Sequence, residues 1–228
     1  MITCDAVSKV YPSRSGEVRS LDQFDLKIAK GEFLVVRGGS GSGKTTLLLA
    51  LGGMLRPSSG SIQLMEKDLY GISNQERAQL RSSSIGFVFQ MFHLIPYLNV
   101  LDNILLAHPG KAEESVRERG KTLMKDLGIE HRLYHRPAEL SAGERQRAAI
   151  GRALLNQPEL ILADEPTGNL DPKNTDEVFK HLSQFHQAGG TVVVVTHGEA
   201  ANQFADRVIQ LDTGRLVETP SNGHSEPK

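Results

Sequence analysis

Apolar residues in this chain form short blocks separated by glycine, proline and charged residues. Some blocks are uninterrupted, which is typical of strands buried on both faces, and others place apolar residues three or four positions apart, which is typical of helices. Strands are predicted at 2–11, 24–28, 32–36, 61–64, 84–89, 160–163 and 191–196, with a polar loop at 12–16. Helices are predicted at 46–51, 73–81, much of 99–134 and 141–156. This alternation predicts an α/β fold with a mostly parallel sheet.

A glycine-rich stretch joins the predicted strand 32–36 to the predicted helix 46–51 and matches the phosphate-loop pattern G-x-x-x-x-G-K-[ST] without a break. It consists of Gly38, Gly39, Ser40, Gly41, Ser42, Gly43, Lys44 and Thr45, with Thr46 following. Glycines let successive backbone N–H groups turn toward phosphate oxygens, while Lys44 adds a charge for the β- and γ-phosphates and Thr45 a hydroxyl for Mg²⁺. A flexible linker is the alternative interpretation. Because the pattern arises by chance in roughly one chain in a hundred, and a strand and a helix flank it, a nucleotide site is favoured.

Two other predicted strands end in residues that suit the same site. Asp164 and Glu165 follow the strand 160–163, and His197 follows the strand 191–196. Ligands bind at the carboxyl ends of parallel strands, so these side chains are expected beside the phosphate loop. Asp164 would hold Mg²⁺, Glu165 would orient or deprotonate an attacking water, and His197 would contact the γ-phosphate. Taken alone, each more often marks an ordinary strand end.

Ser141 and Glu144 form the S-x-x-E pattern of a capping box, which predicts that a helix begins there. A well-capped helix is one interpretation. The other is a second anion site, because Ala142 and Gly143 are small and would expose the N–H groups of the helix terminus. The spacing alone does not choose between them.

Composition excludes several classes of protein. A net charge of −1 and a pI near 6.7 leave no basic footprint for nucleic acid. The single cysteine, Cys4, excludes a disulfide framework and suits a reducing cytosol. The apolar runs are shorter than the ~20 residues that a membrane span requires, and no signal peptide is predicted. A role at a membrane would therefore need another chain to cross it.

Three further parts of the chain carry weaker signals, and one of them has two interpretations. Residues 91–98 are unusually apolar for a loop, which indicates either a cover for the core or a surface on which a partner docks. Tyr11 is most simply an aromatic residue on an edge strand. The tail 219–228 is rich in polar and turn-forming residues and is predicted to be disordered.

Taken together, these motifs resemble the ATP-binding subunits of ABC transporters over residues 1–217. The matching motifs are Gly38–Thr45 as Walker A, Gln90 as the Q-loop, Leu140–Gln146 as the signature, Leu160–Glu165 as Walker B, Gly168–Asp171 as the D-loop and His197 as the switch histidine. The resemblance implies a P-loop ATPase fold with a RecA-like, mostly parallel core, a small antiparallel β subdomain and an inserted helical subdomain. The implied single domain spans 1–218, with 1–90 and 156–218 in the core and 91–155 in the helical subdomain.

The resemblance also implies the roles of particular residues. Two copies would pack head-to-tail around two ATP molecules, so that Ser141, Gly143 and Asp171 act on nucleotide bound by the opposite chain. Tyr11 would stack on adenine, and Gln90 would join Thr45 and Asp164 around Mg²⁺. Catalysis would rest on Lys44, Gln90, Glu165 and His197.

The finer resemblance is to the lipoprotein-releasing and macrolide-exporter branch, which implies a permease partner docking near 91–98 and a place on the cytoplasmic face of the cell membrane. The residues that carry it are 80–96 and 165–171. A related cell-division branch shares several of these features. Genome-maintenance ATPases carry a long coiled-coil insertion that this chain has no room for, and metabolic phosphate-loop kinases do not need the signature stretch. Two departures are Ala142, where the signature usually has glycine, and Gly198, where an acidic residue is common.

Overall fold

The computed structural model describes residues 1–13 and 16–217 as two sheets surrounded by helices. The strands are β1 Ile2–Ser13, β2 Gly16–Ile28, β3 Phe33–Arg37, β4 Ser59–Leu64, β5 Lys67–Asp68, β6 Ile85–Phe89, β7 Leu160–Asp164, β8 Thr191–Thr196, β9 Arg207–Asp212 and β10 Arg215–Val217. The α-helices are α1 Lys44–Leu51, α2 Asn74–Ser84, α3 Val100–Leu105, α4 Glu114–Asp126, α5 Ala142–Leu154 and α6 Pro172–Gln187. Short 3₁₀ turns lie at Glu130–Arg132, Pro137–Glu139 and Asn202–Phe204.

The larger sheet positions the candidate site. Its strand order is β10-β9-β3-β8-β7-β6, and all neighbours are parallel except the β10–β9 pair. Alternate residues of its central strands enter two different apolar clusters: Val35 faces α3 to α6, whereas Val36 faces α1 and the second sheet. Because both faces are covered, β3, β7 and β8 read as uninterrupted apolar runs rather than as alternating ones.

The smaller sheet is antiparallel, with the order β2-β1-β4-β5. The predicted polar loop at 12–16 is wrong, because β1 continues to Ser13 and pairs with β2 from Gly16 onward. The tip of this hairpin is exposed on both strands, so its residues carry no apolar alternation from which strands could be predicted. Pairing to a neighbour, rather than burial, makes this segment a strand.

The predicted helix over 99–134 is interrupted. α3 ends at Leu105 and α4 begins at Glu114, with Pro109 and Gly110 between them.

The predicted α/β architecture is confirmed, whereas the boundaries at 91–155 and 156–218 stay a prediction. The tail 219–228 lies outside the described residues. In the part of the chain that is described, none of the helices has the length and apolar character needed to cross a membrane.

Candidate nucleotide-binding site

The phosphate loop is held between the two sheets by close backbone contacts. Gly43 has φ +104°, and a Cβ atom at this position would collide with the backbone oxygen of Ser20 in β2. A Cβ atom on Gly38 would likewise collide with the backbone oxygen of Leu211 in β9. Space therefore requires glycine at both positions, and backbone conformation also requires it at Gly43.

The helix that follows this loop begins without the usual side-chain cap. Gly43 is the N-cap of α1, no side chain of the described residues caps the helix, and its first turn carries no acid. The terminal N–H groups and the positive end of the helix dipole are thus left to an anion in the cleft. This arrangement is what the sequence pattern predicts for a phosphate site.

Lys44 lies at the centre of the cleft and is almost fully buried. Its ammonium group donates hydrogen bonds to the carbonyl oxygens of Gly38 and Gly39 at 2.8 and 2.9 Å. The same Nζ atom lies 3.8 Å from Oε1 of Glu165. The cation is therefore fixed between the loop and the Walker B carboxylate, within reach of both.

Asp164 supplies a carboxylate that suits a divalent cation. Its Oδ1 atom is buried and has no hydrogen-bond partner among residues 1–13 and 16–217. The carboxylate also forms a hydrogen bond with the Thr45 side chain, which lowers its pKa. Burial raises the pKa of Asp164, and the neighbouring charge of Glu165 adds to this, against the effects of Thr45 and Lys44. A bound cation would satisfy the unpaired oxygen and favour the ionised form.

These residues fit Mg²⁺ in particular. In the described ranges no cluster of three or more His, Cys, Asp or Glu residues could hold a metal ion by itself. Mg²⁺ is usually bound by one or two protein ligands together with substrate phosphates and water, so an incomplete protein shell is expected for it. Asp164 and Thr45 would provide that partial shell.

Glu165 is held by three neighbours in an uncommon backbone conformation. Its φ is +44°, which costs a residue with a Cβ atom about 1–2 kcal/mol. Its N–H donates to the carbonyl of Val195, its Oε2 accepts a hydrogen bond from Thr196 at 2.9 Å, and its Oε1 lies 2.8 Å from Nδ1 of His197. A strained residue fixed in this way aims its carboxylate into the cleft.

The predicted catalytic side chains converge on one cleft of about 570 Å³. Its lining consists of Ser20, Ser40, Gly41, Gly43, Lys44, Thr45, Thr46, Gln90, Glu165 and His197. Gln90 reaches it because β6 pairs with β7 in register, with Phe89 beside Asp164. His197 is 68% exposed, so its ring remains accessible while Nδ1 contacts Glu165.

Ser141 and Gly143 lie elsewhere, at the N-terminus of α5. The predicted capping box is present: Ser141 Oγ accepts from the N–H of Glu144 at 3.3 Å, and Glu144 Oε2 accepts from the N–H of Ser141 at 2.8 Å. A Cβ atom on Gly143 would collide with the side chain of Asn174, so this glycine is needed for packing within the chain. Neither residue lines the phosphate-loop cleft, and their predicted role toward an opposite chain stays a prediction.

Asp171 has a structural role that the sequence reasoning missed. It is the N-cap of α6 and accepts hydrogen bonds from the backbone and side chain of Asn174 at 3.0 and 2.6 Å. The same Asn174 accepts a hydrogen bond from Arg147 of α5. The D-loop and the signature helix are therefore connected through one asparagine, and the D-P dipeptide before a polar helix was the signal for the cap.

Tyr11 lies on the outer part of the β1–β2 hairpin, where it pairs with Val18, and the ammonium group of Lys9 lies 5.3 Å from its ring centroid. It does not line the cleft, so adenine stacking stays a prediction. Ser20, two residues from Val18, does line it and shares a hydrogen bond of 2.7 Å with Thr46.

Ser20 and Thr196 are site residues that the sequence reasoning did not find. Ser20 had no motif to mark it, since it reaches the loop only through the packing of the two sheets. Thr196 stands directly before His197 at the end of an apolar strand, and that position was a usable signal.

A phosphate loop, a buried strand-end carboxylate and an oriented glutamate in one cleft define a P-loop nucleoside triphosphatase. The chain belongs to the ABC transporter family: residues 21–168 match the family model of that description. It is 41% identical to the lipoprotein-releasing system ATP-binding protein LolD of Shewanella sp. (strain MR-7) over 95% of both chains. It is 40% identical to the macrolide export ATP-binding/permease protein MacB of Hahella chejuensis over 99% of this chain, and it spans 35% of that relative's length.

The solved structures agree with the sequence relatives. The dimeric structure of a post-hydrolysis state of the ATP-binding cassette MJ0796, bound to ADP and Pi, superimposes with a TM-score of 0.89. That protein is 35% identical, and the match covers 96% of this chain and 97% of the other. The predicted family, its branch and the assignment of this chain as an ATP-binding cassette with ATPase activity are confirmed.

Proposed function

We propose that this chain is the motor subunit of a membrane transporter, converting ATP hydrolysis into movement of a permease that releases or exports a lipoprotein-like or hydrophobic cargo. The observation that carries the proposal is the pairing of one cleft that collects Lys44, Gln90, Glu165 and His197 with 41% identity to LolD along 95% of both chains. The macrolide-export relatives carry the words "ATP-binding/permease" in their names. This chain matches about a third of the length of the macrolide-export relative. The permease is proposed as the membrane partner that the cassette drives.

The residues of the cleft suggest how each contributes to hydrolysis. Lys44 and the N-terminus of α1 bind the phosphates. Thr45, Asp164 and Gln90 would hold Mg²⁺, which would neutralise phosphate charge. Glu165, oriented by Thr196 and His197, accepts a proton from the attacking water. The accessible ring of His197 contacts the γ-phosphate while the water oxygen bonds to its phosphorus and the bond to the β-phosphate oxygen breaks, so that ADP leaves with the electron pair.

We further propose a head-to-tail dimer of two copies, as in the dimeric MJ0796 structures. Ser141 and Gly143 lie outside the cleft formed by their own chain, so a second copy must supply them if they act on ATP. The Ser141 hydroxyl, which accepts one hydrogen bond within its own chain, retains its proton for a phosphate oxygen of the other.

We propose that a helix of the permease docks in a groove of about 530 Å³ beside residues 91–98. It is lined by Met54, Ala78, Arg81, Ser82, Ile85, Gly86, Phe87, Phe89, His93, Leu106, Ala107, Arg152, Ala153 and Asn156. Met54 and Leu106 are about half exposed, which is unusual for large apolar side chains. An amphipathic helix of the partner would cover them.

The segment 91–98 itself contributes less apolar surface than its sequence suggests. Met91 and Tyr97 are largely exposed, but Phe92, Leu94 and Ile95 are half-buried. Leu94 packs against the main core, so changing it would disturb the fold as well as the surface. Groove residues outside this segment therefore make the sharper test.

The experiment compares Met54→Asp and Leu106→Asp with Tyr134→Asp, which places the same charge on an exposed aromatic outside the groove. We expect the two groove variants to keep the ATPase rate of the isolated chain but to lose co-purification with the permease and transport. Tyr134→Asp should retain both. Normal co-purification of both groove variants would place the docking surface elsewhere.

A further inference from the structure

The backbone directly after Gln90 adopts an unusual conformation. Phe92 and His93 are consecutive, neither is glycine, and both lie in the left-handed region, with φ +59° and +49°. The turn is closed by hydrogen bonds from the N–H of Phe92 to the carbonyl of Phe89 at 3.1 Å and from the N–H of His93 to that of Met91. Two successive residues with Cβ atoms hold this conformation only where their surroundings enforce it.

Arg152 of α5 supplies that enforcement. Its Nη2 donates to the carbonyl of Phe92 at 2.7 Å, and its Nη1 donates to the carbonyl of His93 at 2.5 Å. A planar guanidinium thus binds both left-handed residues at once, in a geometry that an ammonium group cannot reproduce. Arg152 is partly buried, and burial lowers the pKa of its guanidinium.

A second arginine of the same helix supports the turn. The guanidinium of Arg145, two helical turns before Arg152, lies 5.4 Å from the ring centroid of Phe92. The ring of His93 packs edge-on against Phe89 at 5.1 Å. The turn is therefore fixed to the helix that begins at Ser141 and to the strand that ends beside Asp164.

Gln90 is the residue that this turn positions. Its side chain lies so close to Gly168 that a Cβ atom there would meet the Gln90 amide, and its carbonyl accepts a hydrogen bond from Asn169 at 3.5 Å. With Gln90 only two residues before Phe92, any unwinding of the turn changes how far its amide extends into the cleft. Arg152 also lines the groove described above, so one side chain contacts both the turn and that surface.

We propose that Arg152 is a positioning residue, which holds the left-handed turn at Phe92 and His93 and through it the amide of Gln90 at the phosphates. The inference rests on the proposed role of Gln90 in the cleft. Arg152 does not contact nucleotide, and its effect is carried by the backbone of the intervening residues.

The first part of the test measures ATPase kinetics of Arg152→Gln and Arg152→Lys beside the unchanged chain and Gln90→Ala. We expect kcat to fall roughly tenfold in both Arg152 variants while KM for ATP changes less than about twofold, since the phosphate loop is untouched. Lysine should not rescue, because it keeps the charge but loses the two-pronged contact. Wild-type turnover in Arg152→Gln would overturn the proposal.

The second part separates strain relief from simple packing. In the Arg152→Gln background, His93→Gly and His93→Ala remove the same ring, but only glycine adopts the left-handed conformation without a penalty. We expect the glycine double variant to recover several-fold more turnover, and a higher melting temperature, than the alanine double variant. Equal values for the two would show that Arg152 acts only by packing, and the proposal would then be wrong.

The two parts also distinguish this inference from the proposed function. If Gln90→Ala leaves turnover unchanged, the role assigned to Gln90 fails, whereas the glycine–alanine difference in melting temperature still tests whether Arg152 holds the turn. Because Arg152→Lys keeps most of the buried side chain, it provides a folded variant if Arg152→Gln unfolds.

Discussion

The helices α1 and α5 both begin at motifs associated with phosphate, yet their N-termini are built in opposite ways. α1 starts at Gly43, with neither a capping side chain from the described residues nor an acid in its first turn. α5 starts at Ser141, whose capping box places the carboxylate of Glu144 in the first turn. The N-terminus of α1 leaves its N–H groups and helix dipole available to a ligand. At the N-terminus of α5, the capping box already provides hydrogen-bond partners for some of these N–H groups.

The electrostatics of Glu144 strengthen this contrast. Burial alone would raise its pKa, but hydrogen bonds from Arg132 and Ser141 outweigh burial and lower the pKa to about 2. The Arg132 bond is 2.7 Å long, and His131 lies 3.4 Å from the same oxygen. The negative charge of Glu144 at the start of α5 makes this N-terminus a weaker anion site than that of α1.

The largest effect is expected in the cleft at the N-terminus of α1. Glu165→Gln should lower kcat by about 10²–10⁴-fold, because it removes the base while keeping the size and hydrogen bonds of the side chain. ATP affinity should stay near that of the unchanged chain. Lys44→Ala is the contrasting variant, in which the affinity itself should fall. Equilibrium binding and steady-state ATPase assays together check both, and wild-type turnover by Glu165→Gln would remove Glu165 from its assigned role.

The next effect concerns assembly through α5. In the Glu165→Gln background with ATP we expect a dimer on a sizing column, and adding Ser141→Arg should return it to a monomer. Ser73→Arg is the matched control, because Ser73 caps α2 with the same box formed with Glu76. If a strictly monomeric sample has full ATPase activity, Ser141 does not act on an opposite chain.

A smaller effect should appear in the pH dependence of stability. The folded pKa of Glu144 is lowered from 4.5 to about 2, so its stabilisation is fully present above pH 4.5 and is lost as the pH falls from there toward 2. Glu144→Gln should therefore cost up to about 2 kcal/mol of unfolding free energy at pH 7, and less at pH 3.

Thermal unfolding of Glu144→Gln and the unchanged chain at both pH values measures this difference. Glu76→Gln is the control, because its capping box is exposed and has no arginine like Arg132 bonded to it within the described residues. If the difference in unfolding free energy between Glu144→Gln and the unchanged chain does not vary with pH, the lowered pKa of Glu144 does not contribute to stability as proposed.

The smallest effect is expected from Ala142→Gly. Ala142 is the first residue of α5, and glycine there should lower the unfolding free energy by no more than ~1 kcal/mol. If the methyl group crowds the phosphate of an opposite chain, the same change should tighten the ATP-bound dimer or raise turnover. Dimer affinity and melting temperature measured on one preparation separate these results, and unchanged values of affinity and turnover would show that the methyl group does not reach the phosphate.

The contrast between the two termini also shows what the sequence could predict. The glycines before Lys44 and the S-x-x-E pattern at Ser141 are local signals, since each reports a conformation or hydrogen bond within a few residues. Both predictions matched the structure in detail, as did the strand ends at Glu165 and His197.

Contacts between distant segments could not be predicted in this way. Arg152 belongs to none of the motifs found in the sequence. The residues that it contacts, Phe92 and His93, lie about sixty positions earlier in the chain. Ser20 reaches the cleft because the backbone of β2 packs directly against Gly43. The outer half of the β1–β2 hairpin has no apolar alternation, so only its partner strand reveals it.

The contacts around Gly38 have a consequence for the order in which the protein folds. The backbone oxygen of Leu211 lies so close to Gly38 that a Cβ atom there would collide with it, and the N–H of Gly214 donates to the carbonyl of Ser42 at 3.0 Å. Both contacts come from the β9–β10 hairpin, which follows the phosphate loop at a long separation in sequence. The phosphate loop therefore gains its final support only after the β9–β10 hairpin has been synthesised, because contacts of such long sequence separation form late. Nucleotide should then bind tightly only after the β9–β10 hairpin has packed against the loop.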